Sequence, residues 1–198
     1  MPRPYRLGER AVLMKATRER IVEAAIDLYG ELGVSATTIR QIGERADVAP
    51  GTLRSHFPSR EDLERAMVSR LTEEAPLPEL TLFDGARTLG ERVGRLTHAT
   101  GEFLDDAARL YRMWLREPLL SEPWGEAGAR YGARWDELMR TALGSLANDR
   151  DALTLLRAVL QPTFYDVLRA GTRSTDEVSD LVAAVITPWL TQRGAADR

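Results

Sequence analysis

The chain has 198 residues, of which 43% are hydrophobic, so it can form a packed core and is not disordered throughout. Its formal net charge of -3 excludes a protein that binds nucleic acid through an overall positive charge, but it does not exclude a local basic patch. With no cysteine and only two histidines, disulfides, thiolate nucleophiles and cysteine-based zinc sites are excluded. We therefore expect no metal site and no cofactor.

Positive charge is concentrated at the N-terminus, where the first 20 residues hold six Lys or Arg and two Glu. We interpret residues 1–16 as a basic N-terminal arm. Such an arm is either a solubilising, disordered leader or an added DNA contact, for instance in an adjacent minor groove. The sequence shows no signal peptide and no apolar run of the ~18 residues that cross a bilayer. A cytoplasmic protein without a membrane partner is predicted.

The first predicted elements are helices. Apolar residues recur on one helical face over about 17–32, and Gly33 follows as a C-terminal cap. Thr38 and Gln41 have the spacing of a capping box, which predicts the start of a second helix.

A turn rich in proline and glycine at 47–52 separates this second helix from a third. Ser59 and Asp62 cap a fourth, connecting helix, and the Pro-Leu-Pro stretch at 76–78 is the best boundary candidate. We therefore predict one domain over 17–75 and a second over 76–198.

The second part is also helical, because no segment alternates convincingly as a strand. The predicted helices are about 84–104, 106–117, 123–147, 150–170 and 175–192. Ser174 and Glu177 form another capping box, and Pro162 and Pro188 predict bends rather than breaks, because apolar periodicity continues on both sides. The predicted fold is all-α with about nine helices.

Residues 37–57 follow the pattern helix, tight turn, helix. Leu53 and Phe57 are the apolar residues that anchor the second of these helices to the core. Polar side chains then remain on its outer face and at its N-terminal end. A helix that enters the major groove of DNA needs this arrangement. The residues predicted to face DNA there are Pro50, Gly51, Thr52, Arg54, Ser55 and His56.

Residues about 17–65 resemble the DNA-binding region of TetR-family transcriptional regulators. Three segments at the family spacing carry the resemblance: AAIDLYGELG at 24–33, TTIRQIGERADV at 37–48 and GTLRSHFPSREDL at 51–63. The resemblance implies a homodimeric repressor with helix-turn-helix heads. In this interpretation residues 17–75 form the DNA-binding domain with its connecting helix, and residues 76–198 form the ligand-binding and dimerisation domain. The sequence departs from the family at Arg54, Ser55 and His56, where many members carry larger rings. We therefore transfer no operator sequence from the family.

The resemblance also implies DNA contacts outside the third helix, from Arg40 at the groove edge and from Arg60 at a phosphate. Thr38 is a further candidate for a phosphate contact. Each has an alternative: a surface salt bridge for Arg40 and helix capping alone for Thr38. For Arg54 the alternatives are bidentate binding of guanine, a phosphate clamp or a solvated charge.

The helix-turn-helix domain of one protomer, called its head below, contacts too few base pairs for specificity within a genome. We therefore predict a homodimer on a palindromic operator. The last two predicted helices carry apolar stripes within 153–167 and 178–189 that pair across a two-fold axis or, alternatively, face the monomer core.

The middle region, about 84–147, is rich in large amphipathic side chains, which is typical of a pocket for a small apolar or amphipathic effector. Core packing is the alternative for each of these residues. The candidate ligand-binding residues are His98, Phe103, Tyr111, Trp114, Trp135 and Phe164.

An enzyme is not expected, because the chain has no G-x-S-x-G, no HExxH and no phosphate-binding Gly-rich loop. No catalytic residue is predicted. The competing hypothesis is a helical ligand-binding or adaptor protein that has lost specific DNA binding, and the departure at Arg54 is the feature that favours it.

Overall fold

A computed structural model shows a chain of α-helices; it describes residues 4–116, 121–171 and 173–196, with side chains described for 9–113, 121–171 and 173–195. The helices are α1 Pro4–Leu32, α2 Ile39–Ala46, α3 Pro50–His56, α4 Arg60–Glu74, α5 Leu89–Asp106, α6 Ala108–Arg116, α7 Glu122–Leu143, α8 Arg150–Val159, α9 Pro162–Arg169 and α10 Thr175–Ala196. Short 3-10 helices occupy Leu80–Phe83 and Gly144–Leu146. The described residues contain no β-strand, which confirms the all-α class. None of these helices combines the length and the apolar character that crossing a bilayer requires.

Helix α1 begins at Pro4, well before the start near residue 17 that apolar periodicity predicted. From residue 4 onward, the segment interpreted as an arm is a continuation of this helix and not a disordered leader. Between Pro4 and the buried face the sequence has no further proline, and Lys15 and Glu19 form an i,i+4 pair at 3.8 Å. Helical continuity here comes from local propensity, which a search for buried faces does not detect.

The predicted helix termini are present. Gly33 has φ +90° and its N–H donates to the carbonyl of Tyr29 at 3.0 Å, which closes α1. The reciprocal side-chain and backbone hydrogen bonds of the helix N-termini join Thr38 with Gln41, Ser59 with Asp62, and Ser174 with Glu177. These contacts depend only on residues three apart, and so the sequence pattern was sufficient to predict them.

The predicted bend at Pro162 is wrong, because the chain breaks into two helices there. Gln161 has φ -69° and ψ 143°, and Pro162 takes the first helical position of α9. Proline disfavours the helical backbone conformation in the residue that precedes it. It suits the first position of a helix because its missing N–H is not needed there. Pro188, in contrast, lies inside α10, which continues through it without a break; the bend predicted there stays a prediction.

The described helices group into two compact units. The first comprises Met1–Glu74 with Arg109–Ala127, and the second comprises Ala75–Ala108 with Gly128–Arg198. The boundary after residue 74 lies beside the predicted one at 75, but residues 109–127 group with the first unit although the predicted division was continuous. The predicted division into a DNA-binding and a ligand-binding domain stays a prediction.

Each unit has its own apolar core. Fully buried side chains of the first unit include Ile21, Ala25, Ile42, Leu53, Leu63 and Met67, and those of the second include Val93, Leu96, Leu138, Leu156, Val178 and Leu190. In the second unit α5 and α10 pack closely at Gly101. A Cβ at this glycine would lie 2.6 Å from the Oγ of Ser179, so only glycine fits.

Candidate nucleic-acid interface

The turn between α2 and α3 has a backbone geometry that sets the angle of the third helix. Asp47 adopts the left-handed conformation with φ 53°, and the N–H of Val48 donates to the carbonyl of Gly43 at 3.0 Å. A Cβ at Gly43 would lie 3.2 Å from the carbonyl oxygen of Val48, so a larger residue there would crowd the turn. The helix-turn-helix predicted over 37–57 is therefore present as a tightly packed unit.

Helix α3 is held by two apolar side chains. Leu53 is 1% exposed and Phe57, which follows the helix as its C-cap, is 3% exposed. Ala49 precedes the helix in an extended conformation, and Pro50 occupies its first position. Because these anchors are four residues apart, they lie on one face and the other faces of the short helix are exposed.

The polar residues predicted to face DNA lie on this exposed surface. Those that are exposed are Pro50, Gly51, Thr52, Arg54 and Ser55, and His56 is half-buried. The hydroxyl of Ser55 donates to the carbonyl of Thr52 at 2.7 Å. Among the described residues no carboxylate pairs with Arg54, so its guanidinium can bind an acceptor from outside the protein. On a helix that fits the major groove, a guanidinium can bind either the edge of a guanine base or a phosphate.

Two further candidates lie on α2 and already have partners. Thr38 is the N-cap of α2, and its hydroxyl accepts from the N–H of Gln41 at 3.3 Å. Arg40 pairs with Glu44 at 2.8 Å, yet its side chain is 84% exposed. An exposed pair of this kind is weak, so Arg40 can exchange its carboxylate for a phosphate.

Arg60 differs from the other candidates because the fold engages it. Its Nε donates to the Tyr29 hydroxyl at 2.9 Å and lies 3.2 Å from the carboxylate of Glu64, which is itself 2% exposed. Its Nη2 donates to the carbonyl of Val34, at the end of α1. The side chain stays 43% exposed. The structure thus gives Arg60 a packing role, whereas its contact with phosphate stays a prediction.

A second charged cluster, which the sequence analysis missed, joins three helices of the first unit. Arg109 of α6 lies 2.7 Å from Glu23 of α1 and 3.2 Å from Glu74 of α4, and Arg70 lies 2.9 Å from the same Glu23. Burial alone would raise the pKa of Glu23, but the hydrogen bonds from Arg109 and Arg70 lower it overall. Since these partners are 35 to 86 residues apart, no local pattern could reveal them.

Some of the predicted ligand-binding residues lie together in the second unit. Phe103 of α5 is buried, and its ring centroid lies 5.3 Å from that of Trp135 and 5.8 Å from that of Tyr131, both on α7. The Tyr131 hydroxyl donates to the carbonyl of Ala75 at 2.9 Å. This aromatic cluster is well packed, and it brings together two of the six candidates.

The other candidates do not join this cluster within the second unit. His98 faces α10, where its Nε2 lies 3.4 Å from Asp180, and Phe164 is 37% exposed on α9. The break before Pro162 resets the helical phase, which moves Phe164 away from the buried stripe of α8. Tyr111 is half-buried on α6, in the first unit, and the side chain of Trp114 lies outside the described residues.

Comparison with known protein families gives a match at the N-terminal part of the chain. Residues 21–67 match the model of bacterial regulatory proteins of the tetR family. This range includes α2, α3 and the first half of α4. It therefore contains every candidate DNA-facing residue, from Thr38 to Arg60.

Relatives extend the similarity to the whole chain. The HTH-type transcriptional repressor KstR of Mycolicibacterium smegmatis is 28% identical over 196 residues, which cover 96% of this chain and 83% of the repressor. A candidate regulator of fatty acid metabolism from Clostridium perfringens has a TM-score of 0.64 at 21% identity, covering 84% of this chain and 96% of its own. A TetR-like transcriptional regulator from Rhodococcus sp. RHA1 has a TM-score of 0.63 at 18% identity, covering 92% and 97%.

Proposed function

Because this chain belongs to the TetR family of bacterial regulatory proteins, we propose that it represses transcription as a homodimer on a palindromic operator. As a member of that family it is a DNA-binding transcriptional regulator and not an enzyme. The proposal adds the operator symmetry, the dimer, the effector that releases it and a cytoplasmic location.

The exposed polar face of α3 is the observation that carries the proposal. Leu53 and Phe57 are buried beneath this helix, while Thr52 and Arg54 point away from the core. We assign base reading to Arg54, because a bidentate guanidinium distinguishes guanine from other bases. Phosphate contacts, which position the head without reading sequence, are assigned to Thr38, Arg40, Gly51, Thr52, Ser55 and His56. Pro50 has no N–H to donate, so its proposed role is van der Waals contact with the DNA.

Arg60 is proposed to act in two ways. Its Nε and Nη2 hold α4 against Tyr29 of α1 and Val34 just after it, and its side chain stays 43% exposed. A phosphate bound there would add to contacts that already order the side chain.

The proposed dimer uses exposed apolar residues of the last helices. Val167 of α9 is 74% exposed, Val185 of α10 is 62% exposed and Phe164 is 37% exposed. Leu156, Leu160 and Val178 of the predicted stripes face the monomer core instead, so only part of each stripe is available for a partner. Two heads related by a two-fold axis would lie about 34–36 Å apart, one turn of DNA.

The proposed effector is a small apolar or amphipathic molecule that binds the C-terminal domain. The aromatic cluster of buried Phe103 and Tyr131 with half-buried Trp135 supports this chemistry, because ligand pockets are mostly apolar and aromatic with few polar groups. Release requires that the effector bind the DNA-free conformation more tightly than the DNA-bound one.

Selection of bound duplexes from a random DNA pool with the purified full chain tests the proposal. We expect a palindrome whose half-sites are centred about one helical turn apart, bound with an affinity that falls as salt rises. Recovery of no preferred sequence would instead support the ligand-binding or adaptor protein, which the departure at Arg54 favours.

A further inference from the structure

The N-terminal half of α1 makes little contact with the rest of the fold. Between residues 9 and 20 every side chain is exposed except Thr17, which is half-buried. Even apolar residues are uncovered: Val12 is 67%, Leu13 68% and Met14 53% exposed. Isolated helices of this length are marginal in water, so a partner that binds along the segment would stabilise it.

The cations of this segment cluster on one face. With 100° between successive helical residues, Arg10, Lys15 and Arg18 fall within an arc of about 140°. Arg20 lies on the opposite side of the helix. Lys15 has one exposed ion pair, with Glu19 at 3.8 Å. Exposed pairs of this kind are weak, so this one does not prevent Lys15 from binding another anion.

This cationic face begins beside α3, the helix proposed to read bases in the major groove. The guanidinium of Arg18 lies 4.8 Å above the ring of Phe57, the residue that ends α3, and an open groove there is lined by Arg18, His56 and Phe57. The nine residues from 9 to 17 extend about 14 Å further. One DNA strand carries about four phosphates over that axial distance.

We propose that the face formed by Arg10, Lys15 and Arg18 binds the phosphate backbone of double-stranded DNA beside the half-site that α3 reads. This inference rests on the proposed function and deepens it, because it adds a flanking contact that carries no base preference. Three cations on a rigid helix match a row of phosphates in charge and in spacing. The face would widen the DNA footprint of each head and order its own helix.

The variant Arg10→Gln/Lys15→Gln tests the face, since both side chains are exposed and the fold does not depend on them. Binding is measured by fluorescence anisotropy at several KCl concentrations, with a duplex recovered by selection and a random duplex of equal length. We expect about tenfold or greater loss on both duplexes at 0.1 M KCl, and a salt slope smaller by about 4 for the proposed dimer, because the substitutions remove two phosphate contacts from each of its two heads. Shortening the flanks of the selected duplex should weaken the wild type but not the variant.

Two single variants provide a matched comparison. Arg10→Gln should lower the salt slope of the dimer by about 2, one contact per head, whereas Arg20→Gln, which removes the same charge from the other side of the helix, should leave it unchanged. Equal losses for both variants, or a double variant that binds like the wild type, would overturn the inference. The outcome is separable from the proposed function: a selective wild type with an unaffected double variant rejects the face alone. A wild type without sequence preference rejects the operator, and the random duplex then still tests the face.

Discussion

The hydroxyl of Tyr29 in α1 donates a hydrogen bond of 3.0 Å to the carboxylate of Glu64 in α4, and both side chains are almost fully buried. Burial raises the pKa of Tyr29 well above its usual range, and the Glu64 charge raises it further, so the hydroxyl stays a donor. Arg60 pairs with the same carboxylate and Ser121 donates to its other oxygen. This network fixes the helix that follows the reading helix.

The variant Glu64→Gln is therefore expected to lose stability. It keeps the shape of the side chain but removes the charge that Tyr29, Arg60 and Ser121 contact. Hydrogen bonds to a charged group contribute about 1.5–3 kcal/mol, so we expect a loss of about that size in the free energy of unfolding from urea titration. As a control, Glu61→Gln removes an exposed pair with Arg65 on the same helix and should change stability by about 0.5 kcal/mol or less. Equal effects would contradict the importance of the network.

Gly101→Ala should destabilise the second unit. The new Cβ would lie 2.6 Å from the Oγ of Ser179 and 2.7 Å from the Cγ2 of Thr175, both short side chains on α10 that cannot move away freely. Overpacking of this kind costs about 1–3 kcal/mol, measurable by thermal or urea unfolding. Gly94→Ala, on the same helix, meets nothing within 4 Å and should be neutral or stabilising by up to about 1 kcal/mol. If Gly101→Ala behaved like Gly94→Ala, α5 and α10 would not pack as described.

Asp149 predicts a dependence of stability on pH. Its carboxylate accepts a 2.5 Å hydrogen bond from Arg193 and 2.9 Å bonds from the N–H groups of Asp151 and Ala152. The bond from Arg193, and then the backbone bond from Ala152, lower the pKa of Asp149 below its usual 3.8. Because the folded pKa is the lower one, the contribution is present above about pH 4 and is lost as pH falls through the folded value.

The measurement is the free energy of unfolding of the wild type and Asp149→Asn between pH 7 and pH 3. The wild type should be more stable at pH 7, and the gap should narrow below about pH 4. In an Arg193→Gln background this pH-dependent gap should shrink, with the remainder coming from the N–H groups of Asp151 and Ala152. A gap that stayed constant over the whole range would show that the charge of Asp149 is not involved.

Arg54→Ala should change which DNA is preferred. We expect a loss of about 1–3 kcal/mol on the selected duplex and relaxed preference at one base pair per half-site, measured by competition with single-base variants of the duplex. Arg45→Gln is the matched control, because it removes the same charge from the same head, where Glu31 binds Arg45 at 2.8 Å. Uniform weakening on every duplex would instead assign Arg54 to phosphate.

Val167→Glu should prevent dimerisation without unfolding the protomer. The residue is 74% exposed, so a carboxylate is solvated in the monomer but would be buried and unpaired against a partner. Sedimentation or light scattering should show a monomer for this variant and a dimer for the wild type. Ala129→Glu on the exposed face of α7 is the control and should stay dimeric. A Val167→Glu protein that remained dimeric would place the interface elsewhere.

Local chemistry explains which parts of the fold could be predicted from sequence. Thr38 with Gln41, and Ser174 with Glu177, formed the expected caps because each contact involves residues three apart. Pro162 was predicted as a bend because Leu160 and Phe164 keep a spacing that suits one continuous helix. The same spacing also fits two helices, and periodicity cannot distinguish them. The ten helices of the described residues exceed the predicted nine for this reason.

The candidate site was predictable where the phase of one helix decides exposure. Leu53 and Phe57 place Thr52 and Arg54 outward, and the structure agrees. The buried Glu64 could not be found in this way, because its partner Tyr29 is 35 residues distant. The ligand-binding residues are harder still, since their grouping depends on how whole helices pack.

The close approach of Gly43 to the Val48 carbonyl, together with left-handed Asp47, sets the direction of α3 through the backbone. The side chains that point to the solvent from α3 take no part in that geometry. Under the proposed function, exchanges at Arg54 or Ser55 therefore alter the operator while leaving this backbone geometry in place. Regulators that share this scaffold can diverge in their target genes through single substitutions, without first acquiring a compensating change in the core.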